Sequence, residues 1–470
     1  MIHGHPKGLY ILFFTEMWER FSYYGMRAIL SLYMIQALLF NTGFTSTIYG
    51  YYTGLIYLTP LLGGYIADRY WGNRKSIVTG CILMALGQFS LALSSYFYVP
   101  STIPISYSYF IFNNQEIFFL TGLFLLVIGN GFFKPNISSM VGFLYPQNDH
   151  RIDSAFTIFY MGINLGALFS PLVVGTLGNT GNPADFMYGF LAAGVGMIIG
   201  LIIFVLGKNK YIVTPSGEGL GLKPSHLMEL KKDCNGPLTK IEKQRISIIF
   251  ILAFFVIFFW ASFEQAGVSL TFFAEFSVDR TISSLNNYVI PPSFFQSINP
   301  LFILLLAPLF ATIWPKLKNN GWELGTPLKM AIGLALLSLS FIILLPAAQM
   351  IDAGSSEVSP WYLVAVYFVM TLGELCISPI GLSMVSKLSP VRFSCLLMGV
   401  WFLSTAASNI IAGLLSSLYP SSSNPFPTLC GIPIDGLFSF FMIFVVMSAI
   451  AAVILLIISK KLSIMMHGIN

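Results

Sequence analysis

The sequence predicts an all-α membrane protein with twelve transmembrane helices in two sets of six. Three observations carry this. Of 470 residues, 56% are hydrophobic and 9% charged, at a mean hydropathy of +0.78, whereas soluble domains carry about 25% charged residues. The apolar residues form long continuous runs, not the ten-residue alternations of a β-barrel. Lys and Arg lie between these runs with a strong bias to one side.

A helix needs about 20 apolar residues to cross the hydrocarbon core. Candidate spans run over 8–38, 46–68, 76–98, 117–144, 153–176, 186–206, 246–274, 291–314, 328–349, 360–386, 393–418 and 434–459. Several exceed the minimum, as tilted helices do. With both termini in the cytoplasm, twenty of the twenty-four Lys and Arg residues fall in cytoplasmic segments. Arg20, Arg27 and Lys134 lie inside spans, and Arg280 is left on the opposite side. Because positive loops stay cytoplasmic, the bias sets the orientation and requires an even number of spans. The longest polar segment, 207–245, holds eight of the twenty cytoplasmic charges. It reads as a basic cytoplasmic linker between an N-terminal six-helix bundle, 1–206, and a C-terminal six-helix bundle with a short cytoplasmic tail, 246–470. Two six-span halves are the organisation of a carrier built from parallel repeats. Segments 99–116 and 419–433, polar with Ser, Asn and Pro, read as outer loops.

Other classes find little support. The N-terminus lacks the basic region, short apolar core and cleavage site of a signal peptide, so none is expected. The five cysteines form no CxxC pair or metal-ligand spacing, and no disulfide framework is expected. His3, His5, His150, His226 and His467 lie at termini or in loops and are expected to be solvated. No P-loop, catalytic triad, zinc or haem motif is found, so neither enzyme chemistry, a metal site nor a cofactor is expected. Basic residues are not interleaved with aromatics, which counts against nucleic acid. The lipid bilayer is the expected partner, with no obligate protein partner.

Charges inside spans are the informative departure. One at mid-bilayer costs about 2.5–3.5 kcal/mol on insertion scales. At least seven charges, Glu16, Glu19, Arg20, Arg27, Lys134, Glu264 and Glu374, fall within spans. Four acids against three bases nearly balance, as in a paired network lining a cavity. On a helix, Glu16, Glu19, Arg20, Tyr23 and Arg27 share an arc of about 100°, with Tyr24 beside it, over about 16 Å of rise. One reading is a structural ion-pair lock, or snorkelling at the membrane edge, which the early position of Glu16 permits. The other, favoured by the deeper Arg20 and Arg27, is a functional cavity face. Asn130 and Lys134, Trp260 and Glu264, and Glu374 and Ser378 are further i, i+4 pairs. Pro135 and Pro379 permit bending nearby. A buried carboxylate that exchanges a cationic partner for a proton is a sensible coupling device. Glu19, Glu264 and Glu374 are the candidates, with an ion gradient rather than ATP as the driving force.

Several segments resemble the proton-dependent oligopeptide transporter family of the major facilitator superfamily. Glu16 to Gly25 (EMWERFSYYG) matches its first-helix ExxERFxYYG motif. Gly129 to Asn136 (GNGFFKPN) and Phe156 to Gly166 (FTIFYMGINLG) resemble its fourth- and fifth-helix signatures. Phe259-Trp260 through Glu264-Gln265 and Gly373 to Pro379 (GELCISP) resemble its seventh and tenth helices. Gly64, Asp68, Arg69, Gly72 and Arg74 resemble the superfamily motif between spans two and three, with one residue more before Gly72. The resemblance runs from about residue 8 to 418.

The resemblance implies a major facilitator fold and proton-coupled import of di- and tripeptides by alternating access. It implies a plasma-membrane location, the inner membrane in a bacterium. Glu16, Glu19 and Arg20 resemble the proton-coupling group of the first helix, which with Lys134 contacts or releases the peptide carboxylate. Arg27 and Glu264 resemble a pair linked to gating, and Glu374 the residue facing the peptide amino terminus. Tyr23, Tyr24, Tyr57, Asn164, Trp260, Asn299, Ser378 and Trp401 resemble the cavity lining, to which Arg20, Arg27 and Lys134 also belong. Many bacterial members carry two extra helices between the halves. Here 207–245 is too short and too charged for a membrane hairpin. Another cargo, such as nitrate, an amino acid or a peptide-like drug, is the alternative.

Overall fold

The computed structural model describes residues 4–100, 113–146, 149, 151–214, 217–223, 238–320, 324–390, 393–421, 427–429 and 431–467. Its first half contains α1 (Lys7–Gln36), α2 (Thr42–Ile66), α3 (Asn73–Tyr96), α4 (Asn114–Phe143), α5 (Ile152–Gly178) and α6 (Phe186–Tyr211). The second half contains α7 (Lys240–Phe263), α8 (Ser269–Ser277), α9 (Ile298–Asn319), α10 (Thr326–Asp352), α11 (Trp361–Leu388), α12 (Ser394–Ser416) and α13 (Leu437–Met465). With α7 and α8 forming one helical stretch, Lys240–Ser277, these supply the twelve expected spans. Among the described residues, ten stretches are long and apolar enough to cross a membrane. The other two are α1, whose charges disqualify it, and α2, whose apolar content is diluted by Thr, Tyr and Gly. The chain is a multi-pass, all-α membrane protein.

Among the described residues, the seventh and eighth spans both depart from simple helices. The seventh, expected as one helix over 246–274, starts earlier and breaks at a 3-10 turn, Glu264–Gly267. Any Cβ on Gly267 would collide with the Tyr49 hydroxyl. Beside it, Gln265 Nε2 donates to the Ala261 and Ala412 carbonyls at 3.0 and 3.2 Å, while its Oε1 accepts from Ser269 and Ser416 at 2.6 Å each. Buried side-chain bonds thus replace backbone bonds lost at the break. The eighth span opens with a 3-10 turn, Pro292–Ser297, before α9. Side chains also supply caps. Thr239 and Glu242 form a capping box on α7, and Asp352 accepts from the Leu437 and Phe438 amides at 2.9 and 2.8 Å at the start of α13.

The chain divides into two compact units. The first comprises Met1–Phe40, Leu55–Met228 and Pro291–Pro300; the second comprises Asn41–Gly54, Glu229–Ile290 and Leu301–Asn470. In the first, α1 packs mainly on α5 and α6, and α3 on α4 and α6. In the second, α10 packs on α13 and α11, and α12 on α7.

Glycine allows the helices of the first unit to approach closely. A Cβ on Gly63 would overlap the Gly131 carbonyl, and one on Gly80 would lie 2.7 Å from the Gly129 carbonyl. Gly63→Ala is expected to cost about 1–3 kcal/mol of stability by overpacking, read by thermal unfolding in detergent. Gly142→Ala, where nothing lies within 4 Å, is expected to be neutral.

The start of segment 207–245 is ordered on the first unit. Val213 bridges to Gly219, and the turn docks on the Gly72–Arg74 corner. The Arg74 amide donates to Gly221 O at 2.9 Å, and its guanidinium donates to Ile212 O at 2.6 Å and Asn209 Oδ1 at 3.1 Å. Gly72, at φ +74°, would place a Cβ 2.5 Å from the Leu222 carbonyl oxygen, so both its backbone and its surroundings demand glycine.

The expectation that His5 is solvated is corrected. It is buried, with Nδ1 2.7 Å from the Tyr145 hydroxyl and Nε2 3.3 Å from Ser154 Oγ. The sequence placed it near a terminus, but a contact 140 residues away buries it. Cys81 and Cys376 are buried free thiols; the side chain of Cys395 and all of Cys234 and Cys430 lie outside the described residues, as do His3, His150 and His226.

Candidate functional site

The first unit concentrates charge on α1. Glu16 is 2% exposed, Glu19 0%, Arg20 4% and Arg27 8%. Snorkelling at a membrane edge does not describe such groups. Small residues of α5 and α6 bring neighbouring helices over this helix. A Cβ on Gly166 would strike the Met17 carbonyl, and those on Gly196 and Gly200 would meet Phe21 at 2.8 Å and Trp18 at 3.2 Å.

Inside this packing, Arg20 Nε lies 3.0 Å from Glu16 Oε1 and 2.5 Å from Glu19 Oε2. These are close ion pairs without the alignment of directed hydrogen bonds: Arg20 Nε and Nη2, Glu16 Oε2 and Glu19 Oε2 have no hydrogen-bond partner among the described residues. Asn130 Nδ2, on α4, donates to Glu19 Oε1 at 3.4 Å. The charge of Lys134, one turn further along α4, acts on both carboxylates. Lys134 Nζ sits 4.2 Å from the Tyr57 ring centroid, and the Arg20 guanidinium lies 5.4 Å from that of Tyr23. Tyr23 meets Tyr24 edge to face at 5.1 Å.

The cluster therefore holds two carboxylates against two cations, with aromatic faces over the cations. It is neutral as a set when all four groups are charged, which limits the cost of burial. Two opposite charges about 4 Å apart attract by about 4 kcal/mol at an effective dielectric constant of about 20. Adding one proton to a carboxylate leaves one cation uncompensated, so the cluster can exchange a proton for affinity towards an anion.

The remaining sequence candidates of the first unit are more dispersed. Asn164 is buried on α5 and donates to the Tyr160 carbonyl at 2.9 Å. Asn299 is half-buried in the first turn of α9. In the second unit, Glu264 is 7% exposed and begins the 3-10 break. Trp260, half-buried one turn earlier, packs against Phe259 and Phe263 at 5.3 and 5.2 Å. Glu374 is 7% exposed on α11 and Ser378 half-buried one turn later. Trp401 is buried on α12, its carbonyl accepting from the Ser404 and Thr405 hydroxyls.

Sequence reasoning did not include Asn130 among the site residues, although its i, i+4 spacing to Lys134 placed it on the same face. Cys81, on α3, lies within the electrostatic reach of Glu16 and Glu19. Nothing in its spacing signals that proximity.

A model of the POT family matches residues 74–225 and 231–429. The uncharacterized transporter YclF of Bacillus subtilis (strain 168) is 37% identical over 465 aligned positions, covering 88% of each chain. A di-/tripeptide transporter of Lactococcus lactis subsp. cremoris is 32% identical over 527 positions, covering 98% of this chain and 96% of the relative. The crystal structure of a mutant peptide transporter POT in complex with alafosfalin superposes with a TM-score of 0.82 at 33% identity, covering 100% of this chain and 97% of that one.

Proposed function

The chain belongs to the POT family and has its major facilitator fold, and on that premise we propose that it imports di- and tripeptides by proton symport and alternating access. The observation that carries this is the buried ion pairing of Arg20 with Glu16 and Glu19, with the half-buried Lys134 of α4 balancing the second carboxylate. The coverage of the Lactococcus lactis di-/tripeptide transporter supports the substrate class.

In this reading, Arg20 and Lys134 receive the peptide carboxylate once a proton on Glu16 or Glu19 releases one cation from its internal partner. Glu374 meets the peptide ammonium, since a zwitterion needs opposite charges at its two ends. Tyr23, Tyr24, Tyr57, Asn164, Trp260, Asn299, Ser378 and Trp401 line the peptide path, where aromatic faces accept varied side chains. Arg27 and Glu264 link protonation to gating. Glu264 is suited to this by its place at a break in a helix, where a change in charge acts on a backbone already freed from regular hydrogen bonding. The driving force is the proton gradient and no cofactor takes part. The protein resides in the plasma membrane, the inner membrane in a bacterium, with both termini cytoplasmic.

The substrate class is tested by counterflow of labelled dialanine into proteoliposomes with unlabelled competitors outside. Trialanine and other dipeptides are expected to compete, and free alanine and nitrate are not. Competition by alanine or nitrate alone would assign another cargo. Glu264→Gln is expected to retain counterflow within about threefold while losing at least about tenfold in gradient-driven accumulation, because one protonation state is imitated permanently. Equal loss of both would make Glu264 a binding or folding residue.

A further inference from the structure

We propose that Asn130 is a positioning residue for proton coupling, an amide that serves Glu19 in both of its protonation states. The inference rests on the proton-symport reading and adds a residue to it. Asn130 is 1% exposed, and its Nδ2 donates to Glu19 Oε1 at 3.4 Å. Its Oδ1 is buried with no hydrogen-bond partner among the described residues. The same side chain therefore holds a used donor and an unused acceptor beside a carboxyl group expected to gain and lose a proton.

The chemistry of the neighbours makes this distinctive. Arg20 and Lys134 can only donate hydrogen bonds. They serve the charged carboxylate, but neither accepts the hydroxyl of the acid. A primary amide carries donors and an acceptor on one planar fork. Rotation by half a turn about its Cβ–Cγ bond exchanges them. Asn130 can thus donate to the carboxylate and, after that rotation, accept from the acid, so neither state has to break the cluster.

The backbone holds the amide in range. Gly129 and Gly131 flank Asn130: a Cβ on Gly129 would lie 2.6 Å from Met84 Cγ, and one on Gly131 would lie 2.7 Å from Thr59 Cβ. The helix is pinned on both sides of Asn130 by contacts with α3 and α2. The charged groups that act on Glu19 are Glu16 and Arg20 of its own helix and Lys134 of α4, and the Cys81 thiol of α3 lies near enough to feel its charge. Among described side chains, α5 carries no charge, and the charges of α6, Lys208 and Lys210, lie in its last turn. Asn130 is the neutral side chain that hydrogen-bonds Glu19.

The test compares wild type, Asn130→Leu and Asn130→Asp in proteoliposomes, measuring dialanine counterflow at symmetric pH and driven uptake across a pH series. Asn130→Leu removes donor and acceptor at nearly constant size. The charged state loses the stronger, charge-assisted bond, so the pH midpoint of driven uptake is expected to rise by about 0.5–1 unit. Asn130→Asp places a second carboxyl group beside Glu19, and the midpoint is expected to rise by about 1–2 units. Counterflow is expected to stay within about threefold in both. An unchanged midpoint with a parallel fall in both activities would overturn the proposal and leave Asn130 a packing residue. If Asn130→Leu fails to assemble, Asn130→Asp, of the same shape, decides alone. Wild-type uptake indifferent to the gradient would instead refute the symport reading, and this inference with it.

Discussion

Arg20→Leu is expected to lose about 3–5 kcal/mol of stability, and with it most of the folded protein recovered in detergent. The reason is the burial of what remains. Arg20 Nε lies within 3.0 Å of oxygens of both Glu16 and Glu19, carboxylates that are 2% and 0% exposed. Removing one partner of a buried pair leaves a charge without compensation, which costs more than the pair contributes when intact. Adding Glu19→Gln to Arg20→Leu removes one of the orphaned charges and is expected to restore about half of the loss. The pattern is measured by thermal unfolding, followed by fluorescence-detected size exclusion, of the two single variants and the double variant. Additive losses would show that Arg20 and Glu19 are energetically independent.

Lys134→Ala is expected to reduce gradient-driven dipeptide uptake by at least about a hundredfold while leaving much of the fold intact. Lys134 stands 4.2 Å over the Tyr57 ring, a contact worth about 0.5–2 kcal/mol. Its loss is therefore better tolerated than that of Arg20. The transport effect is larger because the charge of Lys134 acts on both carboxylates. Without it, Arg20 alone faces two anions, and a proton added to one of them no longer frees a cation for the peptide. Lys134→Arg keeps the charge and is expected to retain more uptake than the alanine variant. Normal driven uptake by Lys134→Ala would remove Lys134 from the coupling network.

The two variants separate the readings that the sequence left open for the α1 stripe. The structure shows the ion pairs of the first reading, centred on Arg20, and the Lys134 variant tests the second. Legibility followed the range of the interaction. The spans were visible because hydropathy is local, and strong in all but α1 and α2. The stripe was visible because 3.6 residues per turn places Glu16, Glu19, Arg20, Tyr23 and Arg27 together. The break in the seventh span was not, since it depends on Gly267 meeting Tyr49 and on Gln265 finding partners on α12. The burial of His5 by Tyr145 and the docking of Arg74 on Ile212 are likewise long-range contacts with no periodic trace. Asn130 was an intermediate case. Its face was readable from its spacing to Lys134, but its bond to Glu19 required the approach of α4 to α1.

In the proposed mechanism, a charge-balanced cluster on α1 and α4 converts a proton gradient into peptide accumulation. Its most direct test is uptake of labelled dialanine by purified protein in liposomes, under an imposed inward proton gradient and after collapse of that gradient by a protonophore. Accumulation above the external concentration that disappears with the gradient is the expected result. Dialanine uptake that reaches only equilibrium, at the same level with and without the gradient, would contradict it.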